Sequence, residues 1–207
     1  FGDKITCGSW EDIWLNEGFA THLSSFYLEK KYPANTITNR KNLINNITSQ
    51  PGGSVKVDDT TNAGRIFDGR LSYNKGSALL YMLRWKLTDS IFFKALKTYQ
   101  QDNKVIYGFA RTADLKRHLE QASSQDLTEF FNDWVYNQGY PSYQISATNT
   151  GTNQVTFLIS QTQSHSSVSF FEMPLPIRVY GNNGEVQDLV LQNTMNNQSI
   201  TVPVNFP

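Results

Sequence analysis

One glutamate has a sequence environment that could support chemistry. The run from Trp10 to Tyr32 has the spacing of a helix, and one predicted face places Glu17 among mostly apolar residues. The other members of this face are Trp10, Ile13, Trp14, Ala20, Ser24 and Tyr27. An ionised carboxylate inside such a face must be paired, protonated or bound to a metal, because burying an unpaired charge is costly. Spacing alone leaves both an ion pair with an arginine or lysine and a metal site open.

Tyr73 is the second candidate, near the start of a predicted helix that runs from Ser72 to about Leu87. The apolar stripe of this helix contains Gly76, Leu80, Leu83 and Leu87. A tyrosine in such a helix is commonly a residue of the hydrophobic core. Periodicity by itself therefore predicts a structural role for Tyr73.

The sequence around Glu17 resembles the zinc-binding segment of the M1 aminopeptidase family. Residues 1–20 contain the pattern W-x-D-x-W-L-N-E-G-F-A. In the family, an H-E-x-x-H motif is followed about eighteen residues later by a glutamate inside an N-E-G-F-A word. The resemblance implies that Glu17 is a metal ligand, for zinc, and counting back from it places the second histidine just before Phe1. We therefore expect the chain to be a piece of a longer protein.

The same family gives Tyr73 a second interpretation. The sequence L-S-Y-N-K-G-S-A-L-L, with Tyr73 as its third residue, resembles the family's Y-x-K-G segment. The tyrosine hydroxyl of that segment points at the tetrahedral intermediate, so the resemblance implies that Tyr73 is catalytic. Residues 130–141 are also similar to the family's junction into a β-domain, and residues 171–177 are similar to a strand of that domain.

The resemblance implies a multi-domain α + β protein. Residues 1–140 would form the all-α helical portion of a thermolysin-like (gluzincin) catalytic domain, and residues 141–207 a small β-sandwich. The implied function is that of a fragment of a zinc-dependent aminopeptidase, which removes N-terminal amino acids from peptides by attack of metal-activated water. Two histidines and Glu17 would hold zinc, and zinc and Tyr73 would share the oxyanion. The implied partners are a peptide substrate and the missing N-terminal half of the same chain.

Departures from the family pattern leave other functions open. The sequence has neither H-E-x-x-H nor the G-x-M-E-N segment, and Ser24 stands where many members have an acid near the metal. Three histidines are present, and all are expected to be ordinary: His22 lies off the face of Glu17, His118 on a polar helix surface, and His165 in a loop. We therefore expect this chain alone to be inactive and without bound zinc. The alternatives are a metal-free M1-like scaffold or interaction module, and a member that opens an epoxide with the same zinc site.

The predicted elements change character near residue 140. Helices are predicted at about 10–32, 37–48, 72–87, 90–102, 112–122 and 127–137. Gly139 and Pro141 end the helical part. Alternating apolar residues predict short strands at 143–147, 155–159, 177–180, 186–191 and 200–204, which is typical of a small β-sandwich.

Composition excludes several classes of function. The 207 residues carry 18 lysines and arginines and 18 acids, so the basic excess of a nucleic-acid-binding protein is missing. No apolar run reaches the roughly 18–20 residues of a membrane span. The single cysteine, Cys7, excludes an internal disulfide. Asn-x-Ser/Thr sites at Asn46 and Asn197 are compatible with export to the periplasm, the cell surface or the medium, and they do not fix a compartment.

Overall fold

The computed structural model describes residues 1–206 and contains two compact units. The first unit comprises Phe1–Gly139 and is mainly helical, and the second begins at Tyr140 and consists of antiparallel strands. The predicted α + β class, with helices before a small β-sandwich, is confirmed.

Seven α-helices lie in the first unit. They are α1 (Trp14–Lys31), α2 (Thr36–Ile47), α3 (Ala63–Ile66), α4 (Gly76–Leu87), α5 (Asp89–Tyr99), α6 (Thr112–Ser123) and α7 (Thr128–Phe131). Two turns of 3₁₀-helix, Trp10–Asp12 and Pro33–Asn35, precede α1 and α2. Two π-helical turns are also present, Gly69–Lys75 before α4 and Asn132–Tyr136 after α7. Strands β1 (Ile5–Cys7) and β2 (Gly108–Ala110), which the sequence pattern did not predict, pair in parallel.

The buried face of α1 differs from the predicted one. Its buried residues are Trp14, Leu15, Gly18, Phe19 and His22. On the predicted apolar face, the Trp10 side chain is 51% exposed and that of Tyr27 is 60% exposed. The expectation of Glu17 in the middle of a buried face is therefore wrong, and Glu17 is half-buried. The reason is that Trp10 lies in a separate 3₁₀ turn, out of phase with α1, and Tyr27 lies near the far end of the helix.

A buried polar contact fixes the start of α1 to α6. The Asp12 carboxylate is buried and accepts hydrogen bonds from the backbone N–H of Thr112 at 3.1 Å and from its hydroxyl at 2.6 Å. The indole N–H of Trp14 donates to the same hydroxyl at 2.9 Å. Because Thr112 is the first residue of α6, the Asp12 charge also lies at the positive end of the helix dipole. This contact fixes the direction of the helix that carries Glu17.

The predicted surface position of His118 is wrong. This residue is buried where α6 packs against α5, and its Nε2 lies 3.0 Å from Oδ2 of Asp102. Its Nδ1 lies 3.2 Å from the hydroxyl oxygen of Thr98 on α5. The polar neighbours of His118 in sequence suggested an exposed face, but its partners lie on α5 and in the turn that follows it.

The second unit is a sandwich of two small antiparallel sheets. Its strands are β3 (Pro141–Gly151), β4 (Gln154–Gln163), β5 (Met173–Tyr180), β6 (Val186–Asn193) and β7 (Gln198–Pro203). One sheet has the order β3-β4-β7 and the other pairs β5 with β6. Phe157 and Ile159 of the first sheet share a buried core with Leu175 and Leu191 of the second. The predicted turn before β6 is present, with Gly184 at a φ of +91°.

No helix within residues 1–206 combines the length and the apolar character that a membrane span needs.

Candidate active site

The structure brings Glu17 and Tyr73 together. Glu17 lies in the first turn of α1, and Tyr73 lies in the π-helical turn Gly69–Lys75. Both side chains are half-buried, and the Tyr73 hydroxyl lies near enough to the Glu17 carboxylate to be influenced by its charge. Burial, followed by the charge of Glu17, raises the pKa of Tyr73 above its ordinary value. Like any tyrosine of ordinary or raised pKa, it keeps its proton at neutral pH and can donate a hydrogen bond.

The close approach of Glu17 and Tyr73 follows from a contact between two glycines. A Cβ atom added to Gly18 would lie 3.0 Å from the carbonyl carbon of Gly76 and 3.1 Å from its Cα. A Cβ on Gly76 would lie 3.2 Å from the Cα of Gly18. Only glycine at both positions lets the backbones of α1 and α4 approach this closely. Glu17 precedes Gly18, and Tyr73 lies about one turn before Gly76. The contact between the glycines therefore brings the side chains of Glu17 and Tyr73 close to each other.

The π-helical turn that carries Tyr73 is held at its start by side chains. Asp68 accepts hydrogen bonds from the backbone N–H groups of Arg70 at 2.8 Å and Leu71 at 2.9 Å. The buried hydroxyl of Ser72 donates to the carbonyl oxygen of Ile66 at 2.8 Å. Turns of π-helix are rare and are frequent at functional sites. Helical periodicity predicted an ordinary helix from Ser72 and gave no signal for this wider turn.

An ion pair at Glu17 is not found among the described residues. No lysine or arginine nitrogen in residues 1–206 lies within 4.0 Å of its carboxylate. Among these residues the Glu17 carboxylate therefore has no cationic partner.

The described residues do not fit a zinc site by themselves. A catalytic zinc ion takes three protein ligands. Over residues 1–206, no group of three or more histidine, cysteine, aspartate or glutamate side chains could hold a metal ion. His22 lies on the buried side of α1, with its ring 4.3 Å from that of Tyr81. Burial lowers the pKa of His22 to about 4.

Lys75 is a further buried residue of this region, two positions after Tyr73. Its side chain is 4% exposed, and its ammonium donates a hydrogen bond to the carbonyl oxygen of Gly53 at 2.9 Å. Burial, with smaller contributions from Arg70 and Arg65, lowers the pKa of Lys75 to about 8. In the sequence, the feature that could have indicated this burial is the position of the lysine, one residue before a helix whose leucines are buried.

Comparison with known proteins identifies the family. The family model described as Peptidase family M1 domain matches residues 1–134, which is more than half of the chain. The chain therefore belongs to the peptidase M1 family, and the resemblance stated from Glu17 and Tyr73 is confirmed at the level of the family.

Several aminopeptidases are similar to this chain. Mitochondrial aminopeptidase 2 of Saccharomyces cerevisiae is 34% identical over 166 residues, which cover 76% of this chain and 17% of the yeast protein. Aminopeptidase 2 of Candida albicans is 32% identical, over 75% of this chain and 17% of its own length. Aminopeptidase N of Lactococcus lactis is 27% identical, over 98% of this chain and 24% of its own length. The chain thus spans about a fifth of the length of these relatives.

A solved structure shows the same fold. The crystal structure of Legionella pneumophila aminopeptidase A in complex with aspartic acid matches with a TM-score of 0.74 and 17% sequence identity. The match covers 98% of this chain and 23% of the Legionella chain. At this identity the likeness establishes the fold.

The glycine contact can be tested by adding one methyl group. Gly76→Ala should lower the free energy of unfolding of the 207-residue chain by about 1–3 kcal/mol, because the new Cβ collides with backbone rather than with a mobile side chain. Gly69→Ala is the matched control, since no atom lies within 4 Å of a Cβ added there. Urea unfolding measures both variants. Equal stability of Gly76→Ala and Gly69→Ala would show that α1 and α4 do not touch at this point.

The buried ammonium of Lys75 predicts a pH dependence of stability. Between pH 8 and the ordinary lysine pKa of 10.5, Lys75 is neutral in the folded chain and protonated in the unfolded chain. The folded state then binds fewer protons, so the free energy of unfolding rises with pH over this range. At about 1.4 kcal/mol per pKa unit, the rise amounts to about 3 kcal/mol.

Lys75→Met isolates this contribution, because Cys7 and the tyrosines titrate in both proteins and cancel in the difference. Urea unfolding of both proteins at pH 7 and pH 10.5 is the measurement. The stability of the wild type relative to Lys75→Met should increase toward pH 10.5. A constant difference would mean that the ammonium is solvated rather than buried.

Proposed function

We propose that the natural full-length protein is a zinc-dependent aminopeptidase that removes N-terminal residues from peptide substrates. In this proposal Glu17 is one zinc ligand and Tyr73 is a catalytic residue. The observation that carries the proposal is the pairing of Glu17 with Tyr73 at the Gly18–Gly76 contact, in a chain of the peptidase M1 family. The names of the similar proteins, which are aminopeptidases, support the same activity.

Glu17 supplies a negatively charged oxygen ligand for a metal ion. A single carboxylate does not retain zinc against water, so the remaining ligands and the general base would have to come from residues outside this chain. The missing cationic partner of Glu17 fits this role, because a carboxylate already neutralised by arginine or lysine would be a weaker ligand. This chain then contributes one ligand and the residues that orient it.

Tyr73 supplies a fixed hydrogen-bond donor. When the carbonyl carbon of a peptide bond is attacked, negative charge develops on the carbonyl oxygen, and a positioned donor stabilises it most at that moment. A tyrosine hydroxyl, whose ordinary pKa is about 10, keeps its proton at neutral pH and can act as this donor. In the structure the hydroxyl lies near Glu17, and a catalytic role requires it to donate its hydrogen bond to the substrate oxygen.

The 207-residue chain by itself should be inactive and should bind no zinc ion specifically. One carboxylate is available where three protein ligands and a base are required. Calorimetric titration with zinc, together with an aminopeptidase assay, tests this expectation. A stoichiometric site of submicromolar affinity that disappears in Glu17→Gln would contradict it and would mean that other residues of this chain complete the metal site.

In the natural full-length protein, Tyr73→Phe should lower kcat by about 10²–10³-fold and leave KM and bound zinc nearly unchanged, because the lost donor acts mainly in the transition state.

Glu17→Gln should behave differently. It removes a charged ligand, so zinc content and activity should fall together, and added zinc should restore part of the activity.

Steady-state kinetics and metal analysis of both variants separate these roles, with Tyr107→Phe, an exposed tyrosine, as the matched control. Activity of Tyr73→Phe within about threefold of the wild type, far less than the loss of an oxyanion donor causes, would reduce Tyr73 to a structural residue. A natural protein without zinc and without activity would instead support the metal-free scaffold.

A further inference from the structure

Three cationic side chains of one segment bind the backbone of another. Arg65 donates to the carbonyl oxygens of Ser54 at 2.9 Å and Lys56 at 3.0 Å. Arg70 donates to the carbonyl oxygens of Gly52 at 2.9 Å and Ile47 at 3.3 Å. Lys75 completes the set with its 2.9 Å bond to Gly53. The end of α2 at Ile47 and the loop that follows it, residues 48–56, are thereby fastened to residues 65–75, the segment that contains Tyr73.

The loop is also fixed to more distant parts of the first unit. The backbone N–H of Lys56 donates to the carbonyl oxygen of Val135 at 2.9 Å, and that of Val57 donates to the carbonyl oxygen of Glu11 at 3.0 Å. The backbone N–H of Gly53 donates to the side chain of Gln138 at 2.9 Å. The loop is therefore a fixed support rather than a mobile connection. A bond from Lys75 to this support immobilises the last residue of the π-helical turn.

The burial of the Lys75 ammonium that this bond requires lowers the stability of the fold. Among residues 1–206, no carboxylate oxygen lies within 4.0 Å of its ammonium, so the charge is buried with carbonyl oxygen as its partner. Burying a cation without an anion costs free energy that an apolar side chain of similar length would not cost. Stability alone therefore gives no reason for lysine at this position. A long donor that reaches across to a fixed carbonyl does give a reason.

We infer that Lys75 is a positioning residue for Tyr73. Its bond to Gly53 holds the end of the π-helical turn, and the Gly18–Gly76 contact holds the residue that follows, so the Tyr73 hydroxyl keeps its place beside Glu17. The partner of the Lys75 ammonium is a backbone carbonyl oxygen, that of Gly53. Lys75 therefore acts through the backbone. This inference rests on the proposed function, because it assigns Lys75 a part in the catalytic use of Tyr73.

A double-mutant cycle in the natural full-length protein tests the inference kinetically. Lys75→Met should lower kcat by about ten- to a hundredfold with KM nearly unchanged, as expected for a displaced catalytic group. In a Tyr73→Phe background, the same Lys75→Met change should alter kcat by less than about twofold, because the group that it positions is already absent. Lys56→Met is the matched control, since that lysine is on the loop and its 41% exposed side chain makes a surface ion pair with Glu11, which contributes little to stability.

Hydrogen exchange of the same proteins gives a readout that does not depend on activity. Lys75→Met should accelerate amide exchange about tenfold in residues 69–75, with α6 unchanged, because the turn loses its tether without global unfolding. Lys56→Met should leave both segments as in the wild type. Lys75→Gln, which keeps a neutral donor, should fall between the wild type and Lys75→Met in exchange and in kcat.

The possible results separate the two claims. Equal losses of kcat from Lys75→Met in the wild-type and Tyr73→Phe backgrounds would overturn the inference, because the lysine would then act independently of Tyr73. Unchanged exchange in residues 69–75 would overturn it as well. A natural protein without aminopeptidase activity would refute the proposed function, and the exchange experiment alone would then decide whether Lys75 holds the turn.

Discussion

The contact between the backbones of α1 and α4 at Gly18 and Gly76 decides where the candidate site lies. Neither helix carries a complete site. Glu17 belongs to the first turn of one helix, and Tyr73 belongs to the turn that precedes the other. Because neither glycine has a side chain, the helices approach until the Glu17 carboxylate and the Tyr73 phenol lie near each other. A methyl group at either glycine would separate the helices and, with them, the two functional groups.

Other buried polar contacts hold this arrangement in place. Asp12 binds the N-terminal residue of α6 and so fixes the start of α1. Lys75 binds Gly53 and so fixes the end of the π-helical turn. The two contacts differ energetically, since Asp12 receives two hydrogen bonds at a helix N-terminus, whereas Lys75 has carbonyl oxygen as its partner and a lowered pKa. Rigidity near Tyr73 is therefore obtained at some cost to stability, as is common at functional sites.

The sequence predicts most of the elements because periodicity is a local property. Each predicted helix has a counterpart, and each predicted strand lies in one of the two sheets. The resemblance, rather than periodicity, identified Glu17 and Tyr73 as candidates. Spacing alone placed Glu17 on the wrong kind of face, because Trp10 belongs to a 3₁₀ turn that helical phase does not describe. The π-helical turn, the burial of Lys75 and the contacts of His118 depend on distant parts of the chain, and local patterns do not contain that information.

The most direct measurement is a crystal structure of the natural full-length protein with zinc, using anomalous diffraction at the zinc absorption edge. If Glu17 is a zinc ligand, an anomalous peak is expected about 2.0–2.2 Å from a Glu17 carboxylate oxygen, the distance of a zinc–carboxylate bond, with the Tyr73 hydroxyl facing the same space. A zinc peak held entirely by other residues, with Glu17 away from the metal and Tyr73 turned from it, would contradict the account.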